Sequence, residues 1–377
     1  MLLSTIIILP MVVCAFWFVM LTLDLLEYGN RGAHRSLWLW TLAATLLYAG
    51  HVFFFYRHKT LLPITDSIYT VCHLSVYPLY LRYLCQLTEG DFSRKRNIAV
   101  FLPPIFFGLA VGGVYLAMDG NDIARFVEVH LYNNSWEGLR GLTFVQAVIH
   151  LTIKYLFAAG VLVCIVYGTM VVRRYNRLVE SIYSDIEDKR LHSIELLLQL
   201  MLFTGILSFG VNTLGRHYFA HSLLPLGLIS LSFSCLLFAL NYVGYRQVFS
   251  YADIDFSADE EVPATEAEVS ERSAPQFIDD LAVRIERVMK QELLFLNPTL
   301  KVRDVAHSLN TNSRYVQQAF NEVLHHSFAE YVNRLRIDHA DRLQKEHPDI
   351  KINDLCFRSG FSSPSSYYRN RKRFRKR

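Results

Sequence analysis

The sequence has few cysteines, and they form no pattern that would hold a metal ion or a disulfide framework. Its six cysteines include no C-x-x-C pair, and five of the six lie in apolar stretches. Cysteines in such surroundings behave as small hydrophobic side chains. The sequence therefore predicts no metal site and no other cofactor.

The chain also lacks the short motifs that mark most enzymes. Its soluble parts contain no glycine-rich phosphate loop, no nucleophile elbow and no paired metal-ligand motif. The His and Asp residues of its apolar part have no spacing typical of catalytic partners. The sequence therefore predicts a protein that is not an enzyme.

Basic residues are missing from the first 30 positions, since Arg31 is the first Lys or Arg. A cleaved signal peptide begins with a basic region, so the first apolar stretch is expected to be a retained helix. No repeat of about 20–50 residues is visible in the apolar part, where an inverted-repeat transporter would show one. This absence weighs against a transporter without excluding one.

What the chain has in abundance is apolar residues, which make up 52% of it. A helix that spans a bilayer needs about 20 such residues in a row. The pattern predicts an all-α fold in which residues 1–250 form a polytopic transmembrane bundle of about seven spans, with six or eight as alternatives. The seven stretches lie at about 1–23, 37–55, 62–84, 98–118, 147–172, 195–215 and 222–244.

The basic residues between these stretches predict an orientation. Lys and Arg accumulate on the cytoplasmic side of a membrane. With the N-terminus outside, the inner loops carry ten of them and the outer loops five. This bias predicts a multi-pass protein of the cytoplasmic (inner) membrane with its C-terminal part in the cytoplasm. Membrane lipid is therefore a predicted partner.

Polar groups inside the apolar stretches are few and are candidates for a sensing site. Such groups cost a few kcal/mol each on insertion scales and tend to face a bundle interior or a pocket. They are interpreted either as a ligand pocket open to the outside, in which Asp66 and Lys154 could pair, or as groups that satisfy one another. The five at the outer third of the predicted bilayer are Asp66, His150, Lys154, Asn212 and Arg216.

Charge is segregated in the rest of the chain. Residues 251–276 hold 1 basic and 8 acidic residues, whereas 277–377 hold 19 basic and 12 acidic ones. The first segment has two prolines and little apolar content, so it is predicted to be a flexible acidic linker. The second is a basic module that suits phosphate backbones, although a solvated surface would carry the same charge.

The basic module shows two helix-turn-helix patterns. Apolar residues at four-residue steps predict an amphipathic helix over 277–294. A short helix over 302–309 and a polar turn then precede a helix over about 314–323, whose Val316 and Phe320 face the core. In a helix-turn-helix unit this second helix lies in a DNA major groove and reads base edges.

A second copy of the pattern follows. A long helix over about 328–345 leads to a short helix, a turn at 359–363 and a last helix from about Ser365. Two readers on a rigid connecting helix can occupy successive major-groove faces, about 34–36 Å apart, without a dimer.

These residues resemble the AraC-type transcription regulators over about 277–374. The most specific matches are Tyr331-Val-Asn-Arg-Leu-Arg-Ile-Asp-His-Ala340 in the connecting helix and Gly360-Phe361 in the second turn. The resemblance implies two DNA-binding units that activate or repress transcription, with a membrane-embedded front end as the expected sensor. The DNA-binding residues expected from this likeness and from the outward helix positions are Arg314, Gln317, Gln318, Asn321, Ser365, Arg369, Arg371 and Lys372.

Departures from the family pattern give local expectations. Family members usually carry Gly where this chain has His325, so a left-handed turn under some strain is expected there. They also bury an aromatic side chain at the position of Arg371, a place that Phe374 is expected to take. The basic run over 369–377 is expected to act chiefly on phosphates.

Two functions remain open from the sequence. The first is a membrane-bound transcription regulator that couples an external or intramembrane signal to gene expression. The alternative is a membrane receptor or transporter whose helical C-terminal module binds a protein instead of DNA. The first function implies sequence-specific binding of double-stranded DNA and an unidentified signal ligand, with RNA polymerase and a second copy of the chain as further candidate partners.

Overall fold

The computed structural model describes residues 2–29, 32–56, 61–90, 92–214, 223–254 and 274–375. Regular structure in these ranges is helical, apart from an isolated bridge between Tyr183 and Lys301. The chain divides into two compact units, the first of Met1–Val172 with Leu191–Tyr251 and the second of Arg173–Arg190 with Ala252–Arg377. The predicted all-α fold is confirmed.

The first unit is a bundle of long helices with one short helical segment between two of them. Helix α5 (Gly120–Phe126) is that segment and continues as a π-helical turn over Val127–Tyr132. The long helices are α1 (Leu2–Tyr28), α2 (Gly32–Phe55), α3 (Leu62–Glu89), α4 (Arg94–Ala117), α6 (Leu142–Ile182), α7 (His192–Leu214) and α8 (Leu223–Arg246).

Six helices of the described residues, α1, α2, α4, α6, α7 and α8, are long and apolar enough to cross a membrane, by length and composition. Helix α3, which corresponds to the third predicted stretch, is as long but does not meet that criterion. Its apolar character is interrupted by Asp66, His73 and Pro78. The predicted count of about seven spans thus corresponds to six apolar helices and one more polar helix.

The helices of the first unit pack closely where small residues allow it. A Cβ added at Gly108 of α4 would lie 2.2 Å from Val71 Cγ2 on α3, so only glycine permits this approach. Trp40, Tyr80 and Tyr83 are fully buried between the helices. Large apolar side chains elsewhere stay exposed, with Leu116 at 91%. Such exposed apolar surface is what a lipid-facing helix presents.

The second unit contains the predicted helix-turn-helix patterns. Its helices are α9 (Ala274–Gln291), α10 (Val302–Ser308), α11 (Ser313–Glu322), α12 (Phe328–Glu346), α13 (Ile352–Arg358) and α14 (Pro364–Arg375). The helix predicted over 277–294 was extended too far, because α9 ends at Gln291. Leu293 lies beyond α9, with a φ of 53° and an exposed side chain.

Polar residues before the helices of the second unit explain where they begin. The Asn312 side chain accepts from the Arg314 N–H, and the Ser327 hydroxyl accepts from the Glu330 N–H. These bonds satisfy donors that have no partner inside the helix. The turn chemistry visible in the sequence therefore sets the starts of α11 and α12.

Helix α12 joins two small cores. On the first side Val316 and Phe320 of α11 are buried, as predicted, and Phe320 packs edge-on against Phe328. The second core consists of Ile337, Ala340, Leu355, Cys356, Phe361 and Tyr367, with Phe374 packed against it. The expectation for Phe374 is therefore confirmed.

The second unit also includes Arg173–Arg190, the end of α6 and the loop after it. The domains predicted from the sequence, 1–250, 251–276 and 277–377, do not assign this segment to the C-terminal module. Most of the predicted linker, residues 255–273, lies outside the described residues.

Candidate nucleic-acid interface

Helix α11 presents one polar face outward. Arg314 and Asn321 are exposed, and Gln317 and Gln318 are half-buried. These positions are three, four and seven residues apart, so they lie on the same side of the helix. Gln318 Nε2 donates to Glu322 Oε2 at 3.0 Å, which holds its amide along the helix surface. The structure thus brings together the four predicted residues of the first reader.

The turn that ends α11 has the expected left-handed residue. His325 has a φ of 54°. The next residue, His326, donates its backbone N–H to the Phe320 carbonyl at 3.1 Å and so closes the turn. A side chain at such a φ is strained, whereas glycine is not. The expectation for His325 is confirmed.

Helix α14 presents a second polar face. Ser365, Tyr368, Arg369 and Lys372 are all exposed and follow the same three-, four- and seven-residue spacing. The sequence interpretation included three of these residues and missed Tyr368. Its exposed position three residues after Ser365 is the signal that would have identified it.

Arg371 points to a different side of α14. Its guanidinium lies over the Tyr367 ring, 5.4 Å from the centroid, and Nη2 is 3.7 Å from Asp341 Oδ1 on α12. Nη2 also donates to Gln344 Oε1 at 3.4 Å. In this structure Arg371 braces α14 against the connecting helix.

The second turn requires glycine. Gly360 has a φ of 82°, and a Cβ there would lie 2.6 Å from the Phe295 carbonyl oxygen and 2.8 Å from Leu296 Cα. Both the backbone conformation and the lack of space exclude a side chain. The turn before α14 is therefore pressed against the 3-10 turn Leu294–Leu296.

Arg336 of α12 also contacts the residues around this turn. Its Nε donates to the Phe295 carbonyl at 2.7 Å and Nη2 to the Asn297 carbonyl at 2.6 Å. The guanidinium also lies over the Phe361 ring, 5.8 Å from the centroid. Burial lowers the pKa of Arg336 to about 10, so the group remains charged at neutral pH. Arg336 therefore links the connecting helix to the 3-10 turn Leu294–Leu296 and to the turn that contains Gly360.

Residues 305–376 match a family described as Helix-turn-helix domain. This part of the chain is an AraC-type helix-turn-helix domain. The match supports a DNA-binding transcription regulator, and the matched family is not a catalytic one. No curated protein and no solved structure matches the chain.

One base-reading candidate of the AraC-type domain is already paired within the second unit. Arg369 Nη2 lies 2.9 Å from Glu187 Oε2, in the loop after α6. The Arg369 side chain is 69% exposed and that of Glu187 only 16%. The sequence interpretation did not include Glu187, because nothing near it in the sequence indicates that it meets α14.

Three of the five predicted sensing residues come together in the first unit. His150 Nε2 lies 3.0 Å from Asp66 Oδ2, and the Tyr115 hydroxyl donates to the same oxygen at 2.9 Å. Lys154 Nζ donates to Asn134 Oδ1 at 3.2 Å. The side chain of Asn212 and all of Arg216 lie outside the described residues.

Asp66, Asn134, His150 and Lys154 line a cavity of about 80 Å³. A larger and mostly apolar cavity, of about 170 Å³, shares Tyr69 and His73 with it. Within the ranges that the structure describes, no cluster of three or more His, Cys, Asp or Glu residues could hold a metal ion. The lining of the polar cavity combines Asp66, His150 and Lys154 with the rings of Tyr69 and His73.

Proposed function

We propose that this AraC-type regulator is anchored in the cytoplasmic membrane and couples a signal sensed by its helical bundle to DNA binding. The N-terminus lies outside and the AraC-type domain lies in the cytoplasm, as the distribution of Lys and Arg between the loops indicates. The predicted linker 251–276 joins the end of the bundle to the AraC-type domain. The six apolar helices support the anchoring.

The observation that carries the DNA-binding part is the pair of polar faces on α11 and α14. Both faces point outward, α11 contacts α12 through Phe320 and Phe328, and α14 packs on α12 in the second core. Arg can form two hydrogen bonds with guanine O6 and N7, and Gln with adenine N6 and N7. Arg314, Gln317 and Gln318 therefore supply base-reading chemistry, and Arg369 and Lys372 supply phosphate or guanine contacts.

Salt titration of DNA binding tests this function. The full-length protein in lipid nanodiscs is mixed with labelled duplex DNA of about 30 base pairs, long enough for two successive major-groove faces. A reader that makes several phosphate contacts should lose about 1000-fold in affinity between about 50 and about 200 mM salt. Binding that is absent at low salt would favour the alternative, a module that binds a protein.

Sequence selectivity is tested by selecting bound duplexes from a random library. Arg314→Ala should cost about 1–3 kcal/mol at the preferred sequence and relax selectivity at one position. Arg342→Ala is the matched control, because Arg342 is an exposed arginine on the connecting helix α12 and belongs to neither face. Equal effects of the two substitutions would contradict base reading by Arg314.

We propose that the cavity beside Asp66 and His150 binds the signal ligand. Its hydrogen-bonding groups and the adjoining apolar cavity suit a small amphipathic molecule with a polar head and an apolar body. Polar residues inside a membrane bundle tend to be functional, which supports this assignment.

Expression measurements test the sensing role. Asp66→Asn should change the levels of the same transcripts as Arg314→Ala, while leaving DNA affinity of the purified protein unchanged. Asp119→Asn is the control, because it makes the same charge change at an exposed position between α4 and α5. A transcript profile of Asp66→Asn that equals the wild-type profile would remove the cavity as the sensing site.

The further partners proposed for this regulator are RNA polymerase and a second copy of the chain. Two anchored readers would gain effective concentration on a two-site operator. Crosslinking of the full-length protein with and without inducing conditions tests the pairing, and an unchanged oligomeric state would argue against it.

A further inference from the structure

The loop that follows α6 is built into the AraC-type unit. We call residues 183–190 the docking loop. Ser184 is 1% exposed, and its backbone N–H and hydroxyl both donate to the Leu300 carbonyl, at 3.1 and 2.7 Å. Tyr183 forms the isolated antiparallel bridge with Lys301. The docking loop therefore pairs with the strand-like segment just before α10.

The connecting helix holds the same loop from a second side. Asn333 Nδ2 donates to the Ser184 carbonyl at 2.9 Å, and Arg336 Nη2 donates to the Ser184 hydroxyl at 3.1 Å. All three residues are buried. Buried donors that lose a partner are costly, so these bonds make the loop part of the folded unit.

The acidic end of the docking loop lies beside the second recognition helix. Glu187 pairs with Arg369, and Asp185 and Asp188 flank it in the sequence. Burial raises the pKa of the Glu187 carboxyl, and the Arg369 guanidinium opposes that rise. A carboxylate oxygen binds a guanidinium with the same hydrogen-bonding geometry as a phosphate oxygen. Glu187 thus binds the Arg369 guanidinium, which a phosphate of the DNA backbone would otherwise contact.

Helix α6 joins the docking loop to the polar cavity of the first unit. His150 and Lys154, which line that cavity, lie on α6, and the loop begins directly after Ile182. Helix α6 continues without a break from Lys154 to Ile182, so a change at the cavity can reach the docking loop through hydrogen-bonded helical backbone.

We propose that the docking loop is an internal acidic ligand of the AraC-type domain, which holds Arg369 away from DNA until a movement of α6 withdraws Glu187. This inference rests on the proposed function, since it assumes that α14 contacts DNA. It assigns the coupling between the bundle and the reader to α6 and its loop.

The test compares two charge-neutralising substitutions in the full-length protein in phosphatidylcholine nanodiscs. Glu187→Gln should raise the affinity for a mixed-sequence duplex by about 2- to 5-fold, the range of an exposed ion pair. Asp188→Asn is the matched control, because Asp188 is the exposed neighbour with the same charge. Asp188→Asn should raise the DNA affinity less, and this smaller gain measures the effect of removing one negative charge from the loop.

A double variant shows whether the effect passes through the ion pair. In a protein that already carries Arg369→Gln, Glu187→Gln should raise the DNA affinity no more than Asp188→Asn does. Equal gains from Glu187→Gln and Asp188→Asn in the otherwise wild-type protein would overturn the inference while leaving DNA binding in place. Failure of every form to bind DNA at low salt would instead overturn the proposed function.

Discussion

Asn333 on the connecting helix donates its side-chain amide to the backbone carbonyl of Ser184, which lies 149 positions earlier in the chain. Both residues are buried, and the same amide donates to the Ala329 carbonyl at 2.8 Å. One side chain therefore links the loop after α6 to the connecting helix α12.

Removing this link should destabilise the second unit. Asn333→Ala should lower the free energy of opening of α12 by about 1–3 kcal/mol, because the Ser184 carbonyl is left buried without that donor. Hydrogen exchange of α12 amides in the full-length protein measures this energy. Asn321→Ala, at an exposed position of α11, should change it by no more than about 0.5 kcal/mol. Similar losses for the two variants would contradict a structural role for the link.

A side chain at Gly360 should disrupt the second reader. Gly360→Ala places a Cβ 2.6 Å from the Phe295 carbonyl oxygen at a φ of 82°. The combined steric and conformational cost should be at least about 2 kcal/mol in the stability of the second unit. Proteolysis of α14 in the folded protein should accelerate accordingly, whereas Ser362→Ala, at the exposed turn position nearby, should cleave at the wild-type rate.

Relief of the strained turn after α11 should stabilise the first reader. His325→Gly should increase the protection of α11 amides by about 0.5–1 kcal/mol, because glycine adopts a φ of 54° without steric cost. His326→Gly is the control with the opposite expected sign. His326 lies 3.8 Å from Glu330 and has no positive φ, so glycine there removes this contact and adds freedom to the unfolded chain. A loss of protection in His325→Gly would mean that the turn is not strained.

Acid should loosen the segment between α5 and α6. Burial lowers the pKa of His130 from its ordinary 6.5 to about 4, and its Nδ1 lies 3.2 Å from the Ser135 carbonyl oxygen. Between these values the unfolded segment binds a proton that the folded segment does not. The stabilising contribution is therefore complete above about pH 6.5 and declines as the pH falls toward about 4.

Hydrogen exchange of residues 127–135, corrected for the intrinsic pH dependence of exchange, checks this behaviour. Protection should be lower at about pH 5 than at about pH 7.5 in the wild type. His130→Gln should remove most of that difference, since the amide does not titrate. A pH effect of the same size in both proteins would assign it to groups other than His130.

Much of the AraC-type domain could be predicted because its determinants are local. The faces of α11 and α14 follow from helical spacing, and the starts of the helices follow from Asn312 and Ser327. The turn over 359–363 follows from its glycine, which adopts a positive φ without steric cost. The end of α9 could not be placed from spacing alone. Leu293 continues the four-residue pattern, yet the chain turns at that residue with a positive φ.

The side chains of α14 show a further limit of helical spacing. Arg371 and Lys372 were grouped together in the sequence, but Arg371 turns toward Asp341 and Gln344 of α12. The partner that orients an arginine lies on another helix, and no periodicity within its own helix identifies that partner. The same holds for Asp66, whose partners His150 and Tyr115 lie on α6 and α4.

The amino-acid order alone establishes an apolar helical N-terminal part, an acidic segment and a pair of helix-turn-helix patterns. These features can be predicted because helix periodicity, turn residues and charge all act over a few neighbouring positions. The folded chain decides which distant groups meet: Ser184 with Asn333, Glu187 with Arg369, and Asp66 with His150. These contacts depend on the three-dimensional packing of whole helices, and a hydrogen bond or ion pair forms only where that packing brings two groups within about 3 Å.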